Sequence, residues 1–197
     1  MWYWIYRIIA IIILKLFFSL KVEGLKNLPT KSNFIIVANH SSFLDPLVVA
    51  AAVPRKIHCI VSRALFRIPL LKWCLERLEV VPTGGSSEEA IELLKQNKII
   101  GLFPEGRCSR DGKLKEFRRG TALLGLKTGI PIVPCAVLGT FDALPVKAKF
   151  PKFLPIKVKI GKPVCLLKEF EEVVDDIYLQ EGIFKVRNRI QEMLDAG

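Results

Sequence analysis

Four short apolar runs constrain this chain most: Phe34 to Ala38, Ile57 to Val61, Ile99 to Phe103 and Ile130 to Leu138. They are rich in Ile and Val and mostly lack an alternating polar face, the pattern of strands covered on both sides. Helix signals lie between them. Pro46 suits the first turn of a helix continuing through Leu47 to Val53, and Ser86-Ser87-Glu88-Glu89 opens another with a capping-box pattern, its apolar side supplied by Ile91, Leu93 and Leu94. A third helix is predicted from about Glu116 to Lys127, carrying Arg118 and Arg119 and stopped by Gly129. Leu65 to Leu78 reads as partly helical and broken at Pro69, Val80 to Pro82 as a brief extended piece, and Gly84-Gly85 as a turn. Two prolines, Pro131 and Pro134, place the fourth run near a sheet edge or at a bulge. This alternation predicts an α/β fold, a mixed or parallel sheet flanked by helices, whose sites collect at the carboxyl ends of the strands.

The first run ends in Asn39-His40-Ser41-Ser42-Phe43-Leu44-Asp45. His40 would emerge at the strand end with Asp45 across one turn. An imidazole takes a hydroxyl proton near neutral pH, and a carboxylate on its other nitrogen fixes the tautomer and stabilises the imidazolium. Ser41 and Ser42 lack the glycine-flanked elbow that exposes a nucleophilic serine, so the attacking hydroxyl is expected on a substrate. The competing structural reading is a histidine beside an N-capping aspartate. The other histidine, His58, sits inside the second apolar run and reads as a core or strand-end residue. The third run delivers Pro104-Glu105-Gly106-Arg107-Cys108-Ser109-Arg110 to the same kind of strand end.

A chain of 197 residues suits one sizeable core. Its net charge of +11 implies an anionic partner, and a mean hydropathy of +0.34 with 25% charged residues implies membrane contact. No zinc-finger, RNP or basic heptad pattern supports nucleic-acid binding. The five cysteines are scattered without CxxC spacing, which argues against a disulfide framework or metal site and for a reducing compartment. Residues 2 to 20 would extend about 28 Å as a helix, close to a bilayer core. Arg7 and Lys15 fall on one side of that helix, which also fits an interfacial helix with snorkelling cations. The aromatic start and missing cleavage site predict a retained anchor over residues 1–21, spanning or interfacial. Lys147, Lys149, Lys152, Lys157, Lys159 and Lys162 read as an edge strand with a solvated lysine face, or as a footprint for anionic headgroups or an acidic carrier. The tail from Phe170 to Ala196 is acidic, then amphipathic, and is expected to close the core with one or two helices.

Three ordered segments resemble the glycerolipid acyltransferase family, specifically the bacterial 1-acylglycerol-3-phosphate O-acyltransferases. NHSSFLD is similar to the family's H-x4-D block, FPEGRCSRDG to its FPEG block and IPIVPCAV to its proline-containing block. SRALFRIPLLKWCLERLEVVPTGG resembles the intervening block, so the likeness covers about residues 34–139 within an acyltransferase domain expected over 22–197.

That resemblance implies transfer of a fatty acyl group from acyl-CoA or acyl carrier protein to the free hydroxyl of a lysophospholipid, with no cofactor beyond the acyl donor. His40 would be the general base and Asp45 its orienting partner, without a covalent acyl-enzyme. Arg63, Glu105, Gly106, Arg107 and Arg110 would bind the acceptor, arginine holding its phosphate. Membrane lipids and the acyl donor would be the partners, at the cytoplasmic side of the inner membrane. The family commonly reads FPEGTRSR, whereas here Arg107 stands at the threonine position and Cys108 at the arginine position, and Gly85 replaces an arginine ending the second block. These departures leave open a different lyso-lipid acceptor, hydrolysis, or a non-catalytic lipid-binding module. They also leave a rival mechanism in which Arg107 and Arg110 make Cys108 an acyl-accepting thiolate.

Overall fold

The computed structural model describes residues 2–83, 86–166 and 176–197. Helix α1 (Trp2–Phe18) precedes strand β1 (Lys21–Glu23), β2 (Ile35–Ala38), α2 (Asp45–Ala52) and β3 (Ile57–Val61). Then follow α3 (Pro69–Arg77), β4 (Val81–Pro82), α4 (Ser86–Lys95), β5 (Ile99–Leu102) and α5 (Gly120–Thr128). The chain ends with β6 (Ile132–Leu138), α6 (Thr140–Ala143), β7 (Lys157–Ile160) and α7 (Asp176–Asp195). The strands form one seven-stranded sheet in the order β1-β7-β6-β2-β5-β3-β4, parallel throughout except between β6 and β7.

Period-2 geometry divides β2 between two apolar layers. Ile36 and Ala38 join Leu14 and Phe18 of α1 and Val48 and Val49 of α2 on one face, while Ile35 and Val37 join Leu94, Ala122, Val186 and Ile190 on the other. Parallel β2, β5 and β3 therefore end on the same edge, where the segments after Ala38, Leu102 and Val61 emerge. Close approach at the centre depends on Gly101, where a Cβ would lie 2.7 Å from Ile57 Cγ2 and 3.1 Å from Cys59 Sγ.

Four expectations are corrected. Strand β6 lies inside the sheet, between β7 and β2, which overturns the edge reading of its prolines; the bulge reading fits, since Cys135 pairs with Ile160 while Ile132 bridges Val164, one residue more on the partner side. Pro134 is tolerated because its missing donor faces the interruption between Ile160 and the Ile132–Val164 bridge, where the Pro134 carbonyl accepts from Gly161. Strand β7 is likewise covered, since three residues of β1 pair along it and become the edge. Two of its lysines have structural partners: Lys157 donates to the Gly197 carbonyl and Lys159 to the Met193 carbonyl. Helix α5 begins at Gly120, so Arg118 and Arg119 precede it, because the Lys115 and Arg118 amides are bound to Glu105 and the Pro104 carbonyl.

The fourth correction concerns α1. Arg7 does not snorkel; its guanidinium turns inward and donates to the carbonyls of Ala50, Ala51 and Val53 at 3.0–3.1 Å, at the C-terminal end of α2. Lys15 remains exposed, and Ile8, Ile9, Ile12 and Leu16 face outward. That apolar strip meets Trp73 at one end, through Trp2, and Phe153 at the other, through Phe17. No helix of the described residues is long and apolar enough to cross a membrane. Gly84-Gly85 and the acidic start of the tail fall outside the described residues.

Candidate active site

His40 leaves β2 on the α2 face of the sheet, and its Nδ1 lies 3.0 Å from Asp45 Oδ2. Asp45 is fully buried at the first position of α2, and the same oxygen accepts the backbone N–H groups of Ser41 at 2.7 Å and Ser42 at 2.8 Å. The turn between base and carboxylate is thus tied by the carboxylate itself. Oδ1 has no hydrogen-bond partner. The structural alternative of an N-capping aspartate is not realised: Leu44 is the N-cap of α2, and the Asp45 carboxylate ties amides that precede the helix and meets the imidazole.

The loop after β5 holds the histidine from the other side. Glu105 Oε1 accepts the His40 N–H at 2.6 Å, Oε2 accepts the Lys115 N–H at 3.1 Å, and the Ser109 N–H donates to the His40 carbonyl at 2.7 Å. Glu105 therefore braces the backbone of the base with both oxygens. Burial pushes its carboxyl above the ordinary range, against the two amide bonds that pull it down. The imidazole stacks obliquely on Phe103, with ring centres 4.5 Å apart.

The Ser109 bond brings Cys108 to the imidazole, with Sγ 3.0 Å from Nε2 and 3.6 Å from Nδ1, over the ring face and not in line with either nitrogen. Burial alone would depress the His40 pKa, but the Asp45 carboxylate and then the Cys108 sulfur outweigh it and raise it from 6.5 to about 9. Cys108 is partly exposed, unlike buried Cys59 and Cys135, while Cys165 is exposed elsewhere.

Arg107 and Arg110 are exposed on the Glu105 loop, and Arg63 follows β3 on the same sheet edge, its N–H on Thr83 Oγ1. Gly106 adopts a left-handed φ of 69°, and a Cβ there would lie 2.5 Å from the guanidinium carbon of Arg118. Arg118 was missed as a site residue because the sequence pattern placed it in a helix; its signal was the basic pair following the loop. His58 behaves as a strand residue, its Nδ1 on the Glu79 carbonyl and its pKa lowered by burial. A cleft of about 680 Å³ flanks the dyad, walled by Asn39 and Ser41 but not by His40. Its Asp111, Asp142 and Asp195 against one lysine, Lys113, make it unsuited to a phosphate. Among the described residues no side-chain cluster could hold a metal ion.

Comparison with known proteins supplies an independent observation. A sequence model of the acyltransferase family matches residues 19–138. The chain is 32% identical to the 1-acyl-sn-glycerol-3-phosphate acyltransferase of Bacillus subtilis, over 78% of this chain and 77% of that one. It is also 32% identical to a chloroplastic enzyme of the same name from Arabidopsis thaliana, over 66% of this chain and only 38% of the plant protein. A Brassica napus relative is covered over 46%, so the chain spans less than half the length of these plant relatives. The crystal structure of the 1-acyl-sn-glycerophosphate acyltransferase PlsC from Thermotoga maritima superposes with a TM-score of 0.80 at 28% identity, over 97% of this chain and 79% of that one.

Proposed function

The chain belongs to the acyltransferase family, and from that premise we propose that it transfers a fatty acyl group from a thioester donor, acyl-CoA or acyl carrier protein, to the free hydroxyl of a lysophospholipid. The leading acceptor is 1-acylglycerol-3-phosphate, giving phosphatidate. One observation carries the reading: the His40–Asp45 pair stands on the sheet edge where the Glu105 loop presents its arginines. In this mechanism the neutral form of His40 takes the acceptor proton on Nε2 while Asp45 orients the ring and balances the charge of the imidazolium that forms. Arg107, Arg110, Arg118 and Arg63 supply cationic donors for the acceptor phosphate. The chemistry requires no metal or cofactor beyond the donor.

The outward apolar strip of α1, continued by Trp73 and Phe153, supports an interfacial anchor that rests on the membrane, on the cytoplasmic side where acyl thioesters are made. A second reading keeps the reaction and changes the acceptor. It is favoured by Cys108, a neutral residue at a position where the family carries arginine.

Purified protein supplied with labelled acyl-CoA or acyl carrier protein and a panel of lysolipids tests both readings. Phosphatidate should dominate the products, and His40→Ala should abolish it while the protein still binds vesicles. Free fatty acid alone, no diacyl lipid, or undiminished turnover by His40→Ala would refute the proposal.

A further inference from the structure

The lysine-rich stretch after β6 divides into two parts. Lys157 and Lys159 lie in β7 and reach carbonyls at the C-terminal end of the chain, and Lys157 also lies 3.9 Å from the Glu23 carboxylate. Lys147, Lys149 and Lys152 lie instead on the loop between α6 and β7, where every residue from 147 to 155 is exposed. Among the described residues these three form no ion pair.

The same loop holds apolar side chains in water. Phe150 is 82% exposed, Phe153 65% and Leu154 38%. A loose tail would show such groups through disorder, but this backbone is tied down. The Lys152 N–H donates to the Ala143 carbonyl at 2.7 Å, the Ala148 N–H to the Pro145 carbonyl at 2.8 Å and the Ile156 N–H to the Phe18 carbonyl at 2.8 Å. Pro145, Pro151 and Pro155 restrict it further. An ordered loop that projects two phenyl rings bears a hydration cost that contact with an apolar phase removes.

Its position shows which phase. Phe153 packs against Phe17 and Phe18 with ring centres 5.1 and 5.7 Å apart, so the loop extends the outward apolar strip of α1. Its other end is fastened to the catalytic turn, where Ser42 Oγ donates to the Leu144 carbonyl at 2.7 Å and Ser41 Oγ lies 3.2 Å from Thr140 Oγ1. Phe43, the next residue of that turn, is 63% exposed. A bilayer interface accepts rings and ammonium groups side by side, the rings below the headgroups and the ammonium groups among their phosphates.

We propose that residues 147–155 are a second membrane contact beside α1, selective for bilayers with anionic headgroups. The inference rests on the interfacial reading of α1 given above and adds the lipid charge to it. Phe150 and Phe153 enter the interface, and Lys147, Lys149 and Lys152 meet headgroup phosphates. Helix α1 supplies mainly apolar contact, which neutral and anionic lipids satisfy alike; the loop supplies the preference. Because Ser42 joins the loop to the turn carrying His40, docking brings the rim of the site to the surface that holds a phosphate-bearing lysolipid.

Co-sedimentation with vesicles of phosphatidylcholine alone, or of phosphatidylcholine mixed with phosphatidylglycerol, tests this. Wild-type protein should bind the anionic vesicles about 100-fold more tightly, roughly fivefold for each lysine, and the gain should fade as salt rises. Lys147→Gln/Lys149→Gln/Lys152→Gln should lose the gain and bind neutral vesicles as wild type does. Phe150→Ala/Phe153→Ala should weaken binding to both vesicles about tenfold or more. All five side chains are exposed, so melting temperatures should stay at the wild-type value. In the wild type, hydrogen exchange over 147–155 should slow several-fold on anionic vesicles, a measurement that needs no substitution. Equal binding to the two vesicles, a gain that survives the triple lysine variant, or unchanged exchange in the loop overturns the inference and leaves α1 as the anchor. Lysine-dependent binding to acyl carrier protein without any vesicle preference also overturns it, by assigning the loop to an acidic protein. Binding to neither vesicle removes the interfacial reading of α1 as well.

Discussion

Replacing Asp45 by Asn should change the proton affinity of His40 more than any other single substitution near the ring. The amide keeps the shape and one oxygen able to accept from the Ser41 and Ser42 N–H groups, so the turn ahead of α2 should hold. What disappears is the charge beside Nδ1. In the wild type that charge, with the Cys108 sulfur, raises His40 from 6.5 to about 9 in a largely buried position. At 1.36 kcal/mol per tenfold change in proton affinity, this corresponds to about 3 kcal/mol of preference for the folded imidazolium. Because the folded value is the higher one, that stabilisation is complete below pH 6.5 and disappears as pH rises through about 9. In Asp45→Asn, burial acts with less opposition and the His40 pKa should fall toward or below 6.5. Imidazole NMR titration reads this directly, since the chain has only two histidines and His58→Gln identifies the other resonance. Denaturant unfolding of both proteins from pH 6 to 10 supplies the energetic reading. All other titrating groups are shared, so the stability difference should shrink by about 3 kcal/mol across that window. Acyl transfer should fall about 10²- to 10⁴-fold. A wild-type His40 that titrates at or below 6.5, or a stability difference independent of pH, would refute the assignment of Asp45 as the charged partner.

Three further outcomes follow from the geometry. Gly101→Ala forces a methyl group to within 2.7 Å of Ile57 in the middle of the sheet and should cost about 1–3 kcal/mol in denaturant unfolding; an unchanged midpoint would show that the strands separate freely there. Arg7→Ala removes donors to three carbonyls at the end of α2 and should cost about 1–3 kcal/mol, read as a lower melting temperature and faster proteolysis ahead of β1. Equal protease resistance would mean that packing alone holds α1. Arg118→Ala should raise KM for a phosphate-bearing acceptor about tenfold and leave KM for the acyl donor unchanged, which steady-state kinetics with each substrate varied in turn will measure.

The runs at Ile35, Ile57, Ile99 and Ile132 were legible because strands buried on both faces must be apolar at every position, and the His40–Asp45 pair because one turn joins both partners. Less legible were features decided by distant backbone. Pro134 reads equally as an edge or a bulge residue until the partner strand is seen to carry one extra residue beyond Ile160. Arg118 reads as helical until its N–H is found on Pro104. Arg7 reads as snorkelling until α2 offers its terminal carbonyls. Cys108 could be singled out by its flanking arginines, but its place against the His40 ring depends on a bond between Ser109 and the His40 carbonyl that no local pattern encodes.

The bracing of His40 by Glu105 also bears on when reactivity arises. The two residues are 65 positions apart, so a nascent chain that has exposed only the first strand and its turn holds an imidazole whose main-chain donor is unclaimed. Competence arrives only when β5 docks along β2 and the loop behind it closes, an event of high contact order. A half-made chain therefore carries the His40–Asp45 turn without the brace that completes it.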